Sequence, residues 1–451
     1  MPDLSRIVKA YDIRGVVPDE FDEQVARDVG AAFVRLTSAS CVVTAHDMRA
    51  SSIPLSAAFA EGAAGQGADV IEAGLGSTDL LYFASGSLDL PGAMFTASHN
   101  PAKYNGIKLC RPGAAPVGQE TGLREIREML ETGVPAYDGK PGTISQRDVL
   151  ADYAAYLHKL VDLSGIRRLS VVVDAGNGMA GLTVPAVFGD LPLDVTPMYF
   201  ELDGSFPHHE ANPIEPANLV DLQRKVLEVG ADIGLAFDGD ADRCFVVDER
   251  GETVSPSVLT ALIAARELAK QPGSTVIHNL ITSAAVPQIV RENGGEPVRT
   301  RVGHSFIKAE MARTGAVFGG EHSGHFYFRD FWRADSGMLA ALHTLAALGG
   351  QDQPLSHVLS RYSRYVASGE INSTVDDQQE RSAAVERAYA NRQGVSVDYL
   401  DGLTVSLPGG TWFNVRPSNT EPLLRLNVEA PDEATMVAVR DDVLAIVRGS
   451  G

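Results

Sequence analysis

Three short, continuously apolar runs recur along the chain, each closing on a small or polar residue: Cys41-Val42-Val43-Thr44, Ser170-Val171-Val172-Val173-Asp174 and Ser274-Thr275-Val276-Ile277. Uninterrupted β-branched runs suit strands buried on both faces of a parallel sheet, whereas half-exposed strands alternate. Helix-like sequence follows each run. Downstream, a second short apolar stretch empties into a polar loop. Gly92-Ala93-Met94-Phe95 leads into Thr96-Ala97-Ser98-His99-Asn100-Pro101, and Ile233-Gly234-Leu235-Ala236-Phe237 into Asp238-Gly239-Asp240-Ala241-Asp242-Arg243. Gly315-Ala316-Val317-Phe318 leads into Gly319-Gly320-Glu321-His322-Ser323-Gly324-His325. Ligands of open α/β sheets collect beyond the carboxyl ends of strands, which makes these loops candidates to line one site.

Residues 219–229 and 258–270 read as helices and keep the strand–helix alternation of α/β folds. The polar run 368–377 reads as a linker. Beyond it, 382–393 and 432–447 read as helices, and 403–407 and 423–428 as strands. The expected architecture is three similar mixed α/β sheet domains followed by a smaller C-terminal α+β domain. At roughly 100–200 residues per domain, 451 residues accommodate several cores.

Composition narrows the partners. The chain is 44% hydrophobic and 21% charged, the proportions of an ordinary globular protein. A formal net charge of −20 argues against nucleic acid, whose phosphates select basic surfaces. It does not exclude a small phosphorylated ligand, because a few local cations override the far field at short range. Cys41, Cys110 and Cys244 are odd in number and widely spaced, which points away from disulfides or a zinc ribbon and toward a reducing compartment. No apolar run approaches the ~18 residues of a membrane span, and the N-terminus lacks a long apolar stretch. A cytoplasmic enzyme with no membrane partner is expected.

The loops carry the chemistry. Asp238, Asp240 and Asp242, spaced by Gly and Ala, let the backbone fold tightly and aim carboxylate oxygens at one point, as a hard divalent cation requires. An EF-hand would need Gly at the sixth position, where this loop has Arg243. Ser98 is a weak nucleophile unless assisted, and alone it reads equally well as a helix cap in a turn. Lys103 and Lys108, around Tyr104-Asn105-Gly106, place cations nearby in sequence. The loop with Glu321, Ser323 and His325 offers donors and acceptors for sugar hydroxyls. Arg416-Pro417-Ser418-Asn419-Thr420-Glu421-Pro422 combines a guanidinium fork with hydroxyl and amide donors, a phosphate cradle by type and a polar turn by default. Arg14, His304 and Lys308 are single-residue signals.

Together and in this order, the four loops closely resemble those of the α-D-phosphohexomutase superfamily, in particular its phosphomannomutase/phosphoglucomutase branch. Tyr11-Asp12-Ile13-Arg14-Gly15, Tyr104 to Lys108, Asp174 to Gly178 and Gly303-His304-Ser305 also match. The resemblance spans nearly the whole chain. It implies four domains in a heart shape, at residues 1–148, 149–251, 252–367 and 368–451. It also implies that phosphorylated Ser98 donates its phosphoryl group to a hexose 1- or 6-phosphate, and that the 1,6-bisphosphate reorients and returns its other phosphate. Magnesium is implied on Asp238, Asp240, Asp242 and a Ser98 phosphoryl oxygen. Lys108, Arg14, Arg243, His304 and His325 are implied near the transferring group, with Lys108 first and His304 second for proton transfer. Tyr11, Glu321, Ser323 and His325 would bind substrate, and Arg416, Ser418, Asn419 and Thr420 the phosphate not being transferred.

Arg-Pro-Ser-Asn-Thr at the last loop differs from the Arg-Lys-Ser-Gly-Thr of glucosamine-specific relatives. Val276-Ile277-His278-Asn279-Leu280 lacks the lysine of many dual-specificity relatives, and His322 stands at a variable position. The expected reaction interconverts mannose 6-phosphate and mannose 1-phosphate, with glucose phosphates as alternative substrates. A hexose 1,6-bisphosphate serves as activator, and the enzyme is a monomer or a dimer. A metal-dependent sugar phosphatase would share much of this equipment but not the distal Arg416 grip. A non-catalytic binder would tolerate loss of Ser98 or of an Asp.

Overall fold

The computed structural model describes residues 3–418 and 423–449. The chain forms two compact units, Met1–Leu259 with Ser323–Val358, and Thr260–His322 with Leu359–Gly451.

The first sheet of the first unit runs Ile13–Val16, Tyr104–Arg111, Gly92–Phe95, Cys41–His46, Asp69–Leu75 and Ile144–Gln146. Cys41–His46 pairs in parallel with Gly92–Phe95 and Asp69–Leu75, and Tyr104–Arg111 returns antiparallel. Val42, Val43 and all four residues of Gly92–Phe95 are buried, as an apolar run between helical layers requires. Helix Glu23–Thr37 starts on Asp22, whose side chain accepts from the Val25 N–H, and ends on Ser38 in the left-handed conformation. It crosses helix Ser52–Gly65 closely. A Cβ on Gly30 would lie 2.2 Å from the Phe59 carbonyl oxygen, and one on Gly62 would lie 1.9 Å from that of Arg27.

A second sheet in this unit runs Thr253–Val254, Cys244–Asp248, Ile233–Phe237, Leu169–Asp174 and Leu193–Met198. The last three are parallel and the first two antiparallel. The hairpin Phe326–Phe328/Ala334–Asp335 leads into helix Gly337–Gly349, buried on nearly every side and capped by the Ser336 hydroxyl.

In the second unit, Thr275–Asn279 pairs in parallel with Glu296–Thr300 and Phe318–Gly320. A separate antiparallel sheet orders Val366–Thr374, Leu423–Ala430, Trp412–Pro417, Leu403–Ser406 and Ser396–Asp398. Its apolar face, including Phe413, Val415, Leu424, Leu426 and Val428, packs with Val385, Tyr389, Met436 and Val443 of helices Gln378–Tyr389 and Glu433–Arg448. Its other face carries Asn414, Arg416, Arg425, Asn427 and Glu429, in the period-2 alternation of a one-sided sheet.

Two expectations change. Residues 368–377 are not a linker but largely the strand Val366–Thr374, broken by a register shift between Ala367 and Glu370. An edge strand with one open face has no reason to be apolar. The strand expected at 315–318 begins only at Phe318, because Gly315, with φ +70°, ends helix His304–Thr314.

Candidate functional site

Two strand ends of the first unit meet at Ser98. Strand Gly92–Phe95 stops at Thr96, whose hydroxyl accepts the Ser98 N–H at 2.9 Å, and Ser98 turns left-handed with φ +49°. Arg49, 2% exposed, shapes this loop from beneath. Its guanidinium donates to the carbonyl oxygens of Ser98 (2.9 Å), Asn100 (2.7 Å), Pro101 (3.0 Å) and Tyr104 (3.0 Å). Asp47, fully buried, holds the Arg49 Nε at 3.2 Å and accepts the Ser52 hydroxyl at 2.6 Å.

Strand Ile233–Phe237 ends at Asp238. Gly239 lets the two loops approach, since a Cβ there would lie 2.4 Å from the Ser98 carbonyl oxygen. The Ser98 hydroxyl donates to Asp238 Oδ2 at 2.8 Å, and Arg243 donates its Nε to the same oxygen at 2.8 Å. Arg243 Nη2 lies 3.3 Å from Ser98 Oγ and also bonds His99 Nδ1, which itself is 3.2 Å from Ser98 Oγ. Burial first, then Arg243 and Arg14, push His99 down to about 2, so its ring is neutral beside the hydroxyl.

Asp238, Asp240 and Asp242 are all buried, and each offers a carboxylate oxygen within 4.8 Å of the others. Lys108 Nζ bonds Asp240 Oδ2 at 2.7 Å and Asp242 Oδ2 at 2.6 Å, while the Thr78 hydroxyl donates to Asp240 Oδ2 at 2.6 Å. The opposite oxygens, Asp240 Oδ1 and Asp242 Oδ1, are buried without a hydrogen-bond partner. Orphaned carboxylate oxygens beside a third carboxylate are the donor set a hard dication takes, so these residues fit magnesium. The electrostatics are uneven. Burial, with Asp242 and Asp240 adding to it, pushes Asp238 up to about 7 despite Arg243. Asp240 goes down despite burial, chiefly because of Lys108. Burial alone would lower Lys108, but Asp240, Asp242 and Asp335 outweigh it and raise it.

Arg14 reaches the same loop, donating to Asn100 Oδ1 at 2.7 Å and to Asp12 Oδ2 at 2.5 Å. Tyr11 sits half-buried in the bend before strand Ile13–Val16. His325 pairs with Arg243 in a β-bridge, bonds the Ser323 hydroxyl at 2.9 Å, and places Nε2 3.6 Å from Asp242 Oδ1.

The first unit therefore gathers Ser98, Lys108, Arg14, Arg243, the three aspartates, Ser323 and His325. The second unit holds the others. Glu321 is buried and its Oε2 accepts from Asn279 Nδ2 at 3.1 Å and from the Gly303 N–H at 3.3 Å, next to His304 at the start of its helix. Arg416, 8% exposed, donates to Glu370 at 3.1 Å, and Ser418 N–H bonds the Leu423 carbonyl at 2.8 Å. Asn419 and Thr420 lie outside the described residues. Sequence reasoning missed Asp47, Arg49, Thr78 and Asn100. The signal for the first two was available: a charged pair immediately beyond the buried strand Cys41–His46.

Four family models, described as the α/β/α domains I, II and III and the C-terminal domain of phosphoglucomutase/phosphomannomutase, match residues 5–135, 151–251, 256–365 and 370–446. The chain is 40% identical to the phosphohexose mutases of Xanthomonas campestris pv. campestris, covering 98% of this chain and 99% of that protein. It is 38% identical to an Escherichia coli phosphomannomutase, with 98% of each covered. A crystal structure of a phosphoglucomutase/phosphomannomutase family protein from Burkholderia thailandensis superimposes with a TM-score of 0.90 at 34% identity, over 100% of this chain and 98% of that one.

Proposed function

The chain belongs to the phosphoglucomutase/phosphomannomutase family of α-D-phosphohexomutases, and we propose that it is a phosphomannomutase that also takes glucose phosphates. The observation that carries the reading is the Ser98 hydroxyl, bonded to Asp238 at 2.8 Å and flanked by Arg243, next to carboxylate oxygens left unsatisfied. The names of the relatives support mannose and a broader hexose range alike.

In the forward half-reaction the P–O bond to Ser98 Oγ breaks as a new P–O bond forms to the free hydroxyl oxygen of a hexose monophosphate. The hydroxyl proton leaves to a base, and Ser98 Oγ regains a proton. The 1,6-bisphosphate turns end for end, and the same steps in reverse rephosphorylate Ser98 from its other phosphate. Arg243 and Arg14 supply guanidinium donors to the transferring group, where charge spread over the phosphoryl oxygens needs compensation. His99 stays neutral beside Ser98. Lys108 is the first candidate for proton transfer with the sugar hydroxyl and His304 the second; held as an ammonium by Asp240 and Asp242, Lys108 can give a proton to an oxygen but must lose one before it can take the hydroxyl's. Asp238, Asp240, Asp242 and Ser98 would hold magnesium, which supplies positive charge to the phosphoryl oxygens when bound. Glu321, Ser323, His325 and Tyr11 take the sugar, and Arg416 with Ser418, Asn419 and Thr420 takes the phosphate at rest.

No helix among the described residues is long and apolar enough to cross a membrane. The cytoplasmic location and the monomeric or dimeric state expected from the sequence are kept as part of this proposal. The test supplies mannose 1-phosphate and glucose 1-phosphate in parallel, with magnesium and a trace of hexose 1,6-bisphosphate. Turnover of both to 6-phosphates, dependent on the bisphosphate and abolished by Ser98→Ala, is expected. Release of inorganic phosphate in place of isomerisation would convert the reading to a phosphatase, and near-normal isomerisation by Ser98→Ala would remove Ser98 as carrier.

A further inference from the structure

The polar face of the C-terminal sheet holds an unusual square of side chains. Asn414 stands opposite Asn427, and Arg416 opposite Arg425. Directly opposed residues of an antiparallel pair project on one face with Cβ atoms about 4.5–5.5 Å apart, and like charges there repel. Two arginines so placed need an anion between them. Each corner also leaves a buried atom without a hydrogen bond: Asn414 Oδ1, Arg416 Nε, Arg425 Nε and Asn427 Nδ2. Buried polar atoms are nearly always paired, so four orphans in one patch mark a place built for something polar.

Glu370 fills part of that place. Its Oε2 accepts from Arg416 Nη2 at 3.1 Å, and its Oε1 lies 3.5 Å from Arg425 Nη1. One carboxylate thus spans two guanidiniums, the arrangement a phosphate makes with two arginine forks. Arg416 Nη1 also lies 3.9 Å from Asp401 Oδ2, which is anchored by the Val302 N–H. A phosphate dianion arriving beside both carboxylates would meet more negative charge than the two arginines offset. Glu370 can yield. Its side chain is 29% exposed, and it sits at the register shift of strand Val366–Thr374, next to Gly369 at φ +68°.

We propose that Arg425 is a second phosphate-binding guanidinium beside Arg416, and that Glu370 is a resident anion which the substrate's resting phosphate displaces. The proposal rests on reading residues 416–422 as the phosphate cradle, and it adds a residue and a competition that the reading lacks. It also sets a specificity: the pair selects a compact dianion over any neutral sugar group.

Titration calorimetry on the full chain tests it, with inorganic phosphate and mannose 1-phosphate as probes and free mannose as the phosphate-free control. Arg425→Met is expected to weaken both phosphates about tenfold, the scale of one charge-assisted contact, with mannose unaffected. Glu370→Gln is expected to tighten both severalfold. Arg425→Lys, which keeps the charge but loses the fork, should fall between wild type and Arg425→Met and covers the case in which the latter misfolds. Wild-type binding by Arg425→Met or Arg425→Lys, while Arg416→Met is weakened, would overturn the second guanidinium. Unchanged affinity in Glu370→Gln would overturn the resident anion. If Arg416→Met also binds as wild type does, the cradle reading fails and takes the proposal with it. Turnover is scored separately, so a wild type that binds phosphate but does not isomerise sinks the mutase reading alone.

Discussion

Arg49 directs its guanidinium at four carbonyl oxygens between Ser98 and Tyr104 while Asp47 neutralises it, both side chains almost wholly buried. Breaking a buried pair by removing one partner typically costs about 3–5 kcal/mol, because the other charge is stranded. Arg49→Met should therefore lower stability by about that much in urea unfolding. The double variant Asp47→Leu/Arg49→Met removes the stranded charge and should recover part of the loss. Its turnover should stay low, because the loop carbonyls have lost their donors. Recovery of turnover together with stability would show that Arg49 only stabilises. Ser98 offers a second case at this scale. Its φ of +49° is tolerated by serine but poorly by a β-branched side chain. Ser98→Thr keeps the hydroxyl, yet it should cost about 1–3 kcal/mol of stability and most of the turnover. A threonine enzyme with wild-type melting and rate would show that the backbone imposes no such restriction.

At the level of elements, helices Glu23–Thr37 and Ser52–Gly65 meet through reciprocal glycines. Ala is the better helix former by about 1 kcal/mol, so propensity alone predicts that Gly62→Ala stabilises. The Arg27 carbonyl oxygen, 1.9 Å from where the new Cβ would stand, predicts the opposite. Overpacking of this kind costs about 1–3 kcal/mol or more, and we expect it to win, giving a lower unfolding midpoint. A higher midpoint would mean that the helices separate freely. Elements were legible where burial is two-sided. Gly92–Phe95 and Ile233–Phe237 have the bounds that their apolar runs suggest. Val366–Thr374 was not, because its alternation of exposed positions and its irregular register remove the hydropathy signal. The pairing that holds it comes from residues 49 to 64 positions away.

At the scale of the whole molecule, Asp79 joins distant segments of the first unit, accepting hydrogen bonds from Ser77, from Tyr153 at 2.7 Å and from Ser336 at 2.6 Å. Burial pushes its carboxyl up to about 6 from an ordinary 3.8, against the three hydroxyls. The folded form then binds the proton more tightly than the unfolded chain does. The contribution to stability is full below about pH 4, declines as pH rises to about 6, and is lost above; the span is about 3 kcal/mol. Asp79→Asn should flatten that slope in denaturation measured from pH 4 to pH 7, and a slope equal to wild type would assign it to other groups. The site was more legible than this network. The three aspartates announce themselves by spacing and by their place at a strand end, whereas Ser98, in a turn that reads equally well as a helix cap, gains its role only from the resemblance carried by all four loops together. Thr78 matters only through what the tertiary fold sets beside it, Asp240, and no local pattern marks it; Asn100 lies in the loop marked by sequence, but its contact with Arg14 is set by the fold. The interleaving of the two units has one more consequence, for synthesis. Helix Gly337–Gly349 belongs to the first unit, yet the chain must build residues 260–322 of the second before reaching it. At roughly 5–20 residues per second, a nascent chain past Leu259 waits on the order of 5–20 s for residue 358. Throughout that interval the apolar surface which the helix later covers is open to water and to chaperones, so vectorial folding of the first unit cannot finish until that segment has been made.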